Sequence, residues 1–268
     1  LKIAISLAVL KFYLMCRWVY NFLVLVYVVM TSVTLVVLLI VAGVHLSDGV
    51  RLAIFAGWIA ICLGGVFLAE RLIPFVWPGY RRPILAEEER LDSLMREVQR
   101  RTGSKMRIRF VICGDAERPT QSLGYRTVVI QSGSLPLVSD GELKGILAHE
   151  LGHLRDGDRV MEAAFVTAGL FSAVFRWWCR LVRPRFGSSV ILRLLLMLAI
   201  FLLALVLLPF YLVDGVFRLI AGVLRRQIEY RQDRFAFKAG FGDGLRVWLT
   251  KSGLAAQVSR IRRLEKMA

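Results

Sequence analysis

Histidine is scarce in this chain: His45, His149 and His153 are the only three in 268 residues. Cysteine is scarce too. Cys16, Cys62, Cys113 and Cys179 are far apart and form no CxxC pair, so neither a cysteine zinc site nor a disulfide framework is suggested. Three of the four, Cys16, Cys62 and Cys179, lie in or beside apolar runs, where a free thiol is ordinary packing. Acidic residues are outnumbered, 20 Asp+Glu against 36 Lys+Arg, for a formal net charge of +16. The basic excess flanks apolar runs and forms no separate basic domain. It therefore predicts contact with anionic lipid headgroups and no nucleic-acid partner. Internal repeats and low-complexity tracts are lacking. A cleavable signal peptide is not expected, because the first long apolar run lacks a small-residue cleavage site and is long enough to span a bilayer.

Apolar residues are abundant. The chain is 57% hydrophobic with a mean hydropathy of +0.60, above the roughly 45–50% apolar content of an ordinary soluble domain. Trp18 to Val44 is almost wholly apolar and can cross a ~30 Å hydrocarbon core at ~1.5 Å per residue. A short polar turn follows, and Leu52 to Ala69 is a second candidate span. Lys2, Lys11 and Arg17 precede this hairpin, and Arg71, Arg81 and Arg82 follow it, so both ends are expected in the cytoplasm. Arg159 to Leu181 and Val190 to Val213 form a second pair of candidate spans. The arginines in and around their connection (Arg176, Arg180, Arg183, Arg185 and Arg193) run against the positive-inside tendency, which leaves a shallow or re-entrant hairpin as the alternative.

Between the hairpins the pattern changes. Pro74, Pro78 and Pro83 mark a linker. Leu85 to Arg101 reads as an amphipathic helix, acidic early and basic late, which suits the helix dipole. Met106 to Cys113 and Tyr125 to Gln131 read as strands. Ser139 opens a helix, with Glu142 three residues on as a capping-box signature. Asp214 to Ala239 reads as a further helix, and the tail from Phe241 is amphipathic and basic.

The helix opened by Ser139 carries His149-Glu150-Leu151-Gly152-His153. Histidines four apart stack on one helix face and can grip one Zn²⁺, and the glutamate beside the first can activate water. Zinc then needs a third protein ligand. Glu162, Asp214 and Glu229 are the candidates. Glu162 is nine residues past His153 and would struggle to fold back. Glu229, on a later helix with Asp233 one turn on, is preferred, because Asp233 can hold a ligating imidazole through its other ring nitrogen. Asp158 reads as a helix-end residue.

Together with Glu229-Tyr230-Arg231-Gln232-Asp233, this motif resembles the M48 family of membrane zinc metallopeptidases, HtpX-like and Ste24-like. Residues 140–148, Asp158, Ala236 and Gly240 also look like the family. The resemblance covers roughly 85–268. It implies metal ligands His149, His153 and Glu229 for one Zn²⁺, Glu150 as the catalytic general base, and Asp233 behind the ligands. The implied fold is mainly α and integral to the membrane, with about four transmembrane helices and a cytosolic α+β zincin-like (gluzincin) domain with a small sheet. The implied domains are 1–84, an N-terminal membrane hairpin and linker; 85–158, with the first motif; 159–213, a second membrane hairpin; and 214–268, with the second motif and the basic tail. The implied activity is endoproteolysis of membrane or misfolded polypeptides. Its implied setting is a multi-pass protein of the bacterial cytoplasmic (inner) membrane, with the site facing the cytoplasm.

Two departures stand out. Thr120-Gln121-Ser122 occupies the region where the family commonly has an Asn-Ala-Phe-like edge segment; the strand Tyr125 to Gln131 remains as a backbone partner for substrate. Leu254-Ala255-Ala256 stands where a His-Pro-Pro element often precedes the closing Arg-Ile, here Arg260-Ile261. No histidine follows His153, so Arg226, Arg231 or Tyr230 is expected to take the place of an oxyanion-stabilising histidine. Two other readings compete. One is a site-2-type intramembrane protease, to whose aspartate motif Pro209 and Val213-Asp214-Gly215 are similar. The other is a non-catalytic zinc-binding membrane scaffold.

Overall fold

The computed structural model describes residues 2–41, 46–76, 79–114, 120–169, 190–252 and 258–267. The elements run α1 (Lys2–Val41), α2 (Asp48–Val76), β1 (Tyr80–Arg81), α3 (Leu85–Thr102), β2 (Arg109–Cys113), β3 (Gln121–Leu123), β4 (Thr127–Gln131), α4 (Asp140–Asp156), α5 (Asp158–Ala168), α6 (Val190–Lys238), α7 (Gly242–Lys251) and α8 (Val258–Glu265). The chain divides into two compact units. One comprises Leu1–Cys16, Gly64–Met161 and Arg225–Ala268, and the other Arg17–Leu63 and Glu162–Leu224.

The first unit is built around a four-stranded mixed sheet of order β1-β2-β4-β3. β2 and β4 are parallel, pairing Arg109 with Thr127 through Cys113 with Gln131. β1 and β3 run antiparallel to their neighbours. Alternation along β2 and β4 sends Phe110, Ile112, Val128 and Ile130 to the main core and Val111, Cys113 and Val129 to the opposite face. The core is completed by Leu91, Leu94, Met95 and Val98 of α3, spaced as one helical stripe, and by Leu143, Leu147, Leu151 and Leu154 of α4. β4 is therefore an interior strand. The sheet edges are β1 and β3, and of these β3 packs on α4, which moves the expected substrate-pairing edge from Tyr125–Gln131 to Gln121–Leu123.

α4 begins as its sequence predicts, with Ser139 Oγ accepting from the Glu142 N–H at 3.3 Å. The reciprocal half of the capping box is replaced: the Glu142 carboxylate takes Lys251 Nζ of α7 at 2.5 Å. The helix ends at Gly157, whose φ of 71° favours glycine. α7 packs against α4 with backbones nearly touching. A Cβ on Gly145 would come within 2.8 Å of Leu245 Cα, so only glycine allows this approach.

The Arg17–Val37 part of α1 and the Asp48–Gly65 part of α2 are long and apolar enough to cross a membrane, by length and composition. Among the described residues these are the two such helices. The expected third span is described only as far as residue 169. The expected fourth lies within α6, where the side chains of 190–213 fall outside the described residues. The helix expected from Asp214 has no break before it, because α6 runs unbroken from Val190 to Lys238. Inside the second unit the Tyr27 ring packs, tilted, on Phe165 with centroids 4.9 Å apart and on Phe217 at 5.3 Å. Trp58 Nε1 donates to Thr31 Oγ1 at 3.0 Å.

Candidate metal centre

α4 and α6 supply the site. The i, i+4 spacing puts both imidazoles on one face of α4, with ring centroids 4.8 Å apart. His149 Nε2 lies 3.2 Å from His153 Nε2. Glu229 of α6 reaches both, with Oε2 at 3.3 Å from His149 Nε2 and Oε1 at 3.5 Å from His153 Nε2. Bonds of ~2.0–2.1 Å to a tetrahedral zinc put neighbouring ligand atoms about 3.3 Å apart. These three separations match three edges of that tetrahedron, so the donor set fits a zinc ion. Among the described residues, His149, His153 and Glu229 are the one group of three or more able to hold a metal in this way.

Each imidazole is held from behind. His149 Nδ1 lies 2.9 Å from Asp233 Oδ1, and His153 Nδ1 lies 3.3 Å from Asp158 Oδ2. Both carboxylates are in turn fixed. Arg260 of α8 donates to Asp233 through Nε at 2.8 Å and through its terminal nitrogen at 2.5 Å. Gln232 Nε2 donates to Asp158 at 2.8 Å and to Asp156 at 2.9 Å. Such outer contacts fix the tautomer and orientation of ligating histidines. Gln232 is wholly buried and packs on Gly152, where an added Cβ would collide with its Oε1 and come within 3.0 Å of the Phe235 ring. The glycine inside the histidine motif thus lets α4 and α6 close on each other.

Glu150 is buried beside the ligands. Its Oε2 accepts the backbone N–H and the hydroxyl of Ser122, both at 2.6 Å. Arg159 of α5 donates to Ser122 Oγ at 3.1 Å, with a terminal nitrogen 3.6 Å from Glu150 and 3.9 Å from Glu229.

The charges are mutually adjusted. Burial raises the Glu150 pKa, but Arg159, His149 and His153 together with the Ser122 hydrogen bond bring it below the usual carboxylate range. Burial likewise opposes ionisation of Glu229, and its hydrogen bonds to the two imidazoles outweigh that, leaving it well below the usual range. For Asp233 the same opposition is overcome by Arg260 and then His149. Burial pushes the His149 imidazole down, yet Asp233 and Glu229 carry its pKa up to about 9. The pocket is built to keep carboxylates ionised around a cation.

A family model described as Peptidase family M48 matches residues 86–247. The chain belongs to peptidase family M48. It is therefore a member of a metallopeptidase family, and its potential metal triad is His149, His153 and Glu229. No curated protein matches this M48 chain.

Of the sequence candidates, His149, Glu150, His153, Glu229 and Asp233 converge. Among the described residues Asp214 joins no metal-capable group; it is buried in the second unit, where it accepts from Tyr27 Oη and, at 2.8 Å, from Arg218 Nε. Asp158 does more than end a helix, since it orients His153. The expected histidine substitutes are engaged elsewhere or turned out. Arg231 pairs with Asp156 at 2.5 Å, the Tyr230 hydroxyl donates to Ser259 at 3.0 Å, and Arg226 is exposed. The arginines that reach the site are Arg159 and Arg260, whose terminal nitrogens lie 3.9 Å and 3.3 Å from Glu229. Arg260 stood out in the sequence only as part of the closing Arg-Ile segment. Nothing in the pattern pointed to Arg159 or Gln232.

Proposed function

We propose that this chain is a membrane-embedded zinc endopeptidase that cuts membrane or misfolded proteins at the cytoplasmic face, in HtpX-like quality control. Support comes chiefly from the spacing of the His149, His153 and Glu229 donor atoms, 3.2–3.5 Å apart, with Glu150 held beside them. Zinc, when bound, supplies a Lewis acid that polarises a peptide carbonyl and lowers the pKa of water.

Glu150, ionised, takes the proton from the attacking water and returns it to the leaving amine. Ser122 holds one carboxylate oxygen, so the proton is carried by the other. Asp158 and Asp233 keep the imidazole ring nitrogens directed at the ion. The outer edge of β3 offers backbone groups to an extended polypeptide, next to the base that Ser122 grips. The lipid bilayer is the expected environment of α1 and α2, whose apolar runs support it.

The site-2-type alternative needs Asp214 as a ligand, and that carboxylate is already committed to Tyr27 and Arg218. A non-catalytic scaffold gives no reason to steady Glu150 with two short hydrogen bonds. Detergent-purified wild type and Glu150→Gln, given an unfolded membrane protein and casein, test the reading. Cleavage by the first alone supports it, and equal behaviour of the two removes it.

A further inference from the structure

A second site of different chemistry lies at the end of α2. Arg71, Arg107, Arg109 and Arg126 surround a cavity of ≈ 180 Å³, together with Glu70 and Tyr125. At about 30 Å³ per water molecule, it has room for a phosphate group and a few waters. All four arginines are exposed. The one contact recorded for their guanidinium groups among the described residues is that of Arg126 over the Tyr125 ring, at 4.9 Å.

The single carboxylate there is turned away from any ligand. Glu70 is 4% exposed. It accepts the backbone N–H groups of Tyr125 at 3.2 Å and Arg126 at 2.8 Å, and the Thr127 hydroxyl at 2.8 Å. Gly124, at φ 62°, leaves the room this carboxylate needs. Glu70 thus ties α2 to the β3–β4 turn and sets Arg71 and Arg126 on one rim. What remains directed into the cavity is positive. A neighbouring cavity of ≈ 640 Å³ shares Arg71 and Arg109 but also carries Glu88 and Asp92, so it lacks this one-signed lining.

Position identifies the ligand. Arg71 is two residues beyond the end of the Leu52–Ala69 apolar run, or ~3 Å further along the same helix, and its long side chain reaches several ångströms more. Bilayer headgroups occupy roughly 5–8 Å outside the hydrocarbon on each side. Guanidinium groups recognise phosphate oxygens by paired, charge-assisted hydrogen bonds.

We propose that Arg71, Arg107, Arg109 and Arg126 form a binding site for the phosphate of an anionic phospholipid headgroup. This rests on the membrane part of the proposed function, not on its peptidase chemistry. The test therefore reads lipid binding rather than proteolysis. Detergent-purified full-length chain is titrated with mixed micelles of phosphatidylglycerol, of phosphatidylcholine, or with inorganic phosphate alone, and bound lipid is counted by native mass spectrometry. The variants are R107Q, the triple R107Q/R109Q/R126Q, and a control triple R96Q/R100Q/K105Q that removes equal charge elsewhere on the surface. The expected result is selective retention of phosphatidylglycerol. Affinity should weaken roughly fivefold for R107Q and on the order of a hundredfold for the site triple, at about one such factor per surface arginine, while the control triple stays near wild type. Melting profiles matching wild type show that the variants fold, and R107Q alone carries the test if the triple does not. Equal binding of phosphatidylcholine, equal loss in the control triple, or competition by inorganic phosphate at the same concentrations as the lipid would each overturn the assignment.

Discussion

Ser122 gives both its backbone N–H and its hydroxyl to one oxygen of Glu150, each at 2.6 Å. An edge strand and the motif helix are thereby joined at the proposed base. Replacing Ser122 by alanine removes one of two hydrogen bonds to a charged group and leaves the metal donors alone. Hydrogen bonds to charged groups are worth about 1.5–3 kcal/mol. The expected effect of Ser122→Ala is a fall of about tenfold or more in kcat, with metal content unchanged. Metal analysis beside steady-state kinetics checks this; loss of the ion in Ser122→Ala would show that the residue does something else.

The two imidazoles are backed by Asp233 and Asp158, held in turn by Arg260 and Gln232. Asp158→Asn and Asp233→Asn should each weaken metal affinity by roughly 10–100-fold, and Arg260→Ala should do so through Asp233. Asp214→Ala should leave metal content at the wild-type level. Competition with a chromophoric chelator measures all four. A loss confined to Asp214→Ala would restore the intramembrane reading.

His149 gives a pH dependence with a definite sign. Its pKa rises from 6.5 to about 9, because Asp233 and Glu229 outweigh the effect of burial. A raised imidazole pKa contributes stability that is complete below pH 6.5 and is lost as pH climbs through about 9. The melting temperature of chelator-treated protein should therefore fall between those values. Zinc needs the neutral imidazole, so its apparent affinity should rise over the same window, with proton release on binding at pH 7. Calorimetry in buffers of different ionisation enthalpy reads that proton, and a pH-independent affinity would contradict the assignment.

Gly152 is where α4 and α6 meet. A methyl there strikes Gln232 Oε1, and Gln232 has little freedom to move because its amide is bound to both Asp156 and Asp158. Overpacking of this kind costs about 1–3 kcal/mol. Gly152→Ala should lower thermal stability and metal affinity together, whereas alanine at exposed Gly133, which has open space around it, should do neither.

The residues that meet the proposed ion were legible because their chemistry is written in local spacing: two histidines one turn apart, and a glutamate followed one turn later by an aspartate. The helix around them was legible too, from the Ser139 cap to its end before Asp158. What escaped was set by long-range geometry. Ser122 touches Glu150 across 28 positions, and Arg260 reaches Asp233 across 27. Neither separation leaves a periodic trace. The strand expected at Tyr125 to Gln131 is there as Thr127–Gln131, with Tyr125 and Arg126 in the turn before it, and its place inside the sheet depended on the three-residue β3, too short to show alternation. The expected span Val190 to Val213 and the expected helix Asp214 to Ala239 are one continuous helix, α6, a continuity that a change of composition at Asp214 does not reveal.

The central claim is that His149, His153 and Glu229 hold one zinc ion which Glu150 uses for peptide hydrolysis. Metal analysis of detergent-purified wild type, Glu229→Ala and Glu150→Gln, with a cleavage assay on the same samples, tests it most directly. The account predicts one zinc per chain in wild type and in Glu150→Gln, little or none in Glu229→Ala, and cleavage in wild type alone. Full zinc in Glu229→Ala, or wild-type cleavage by Glu150→Gln, would contradict it.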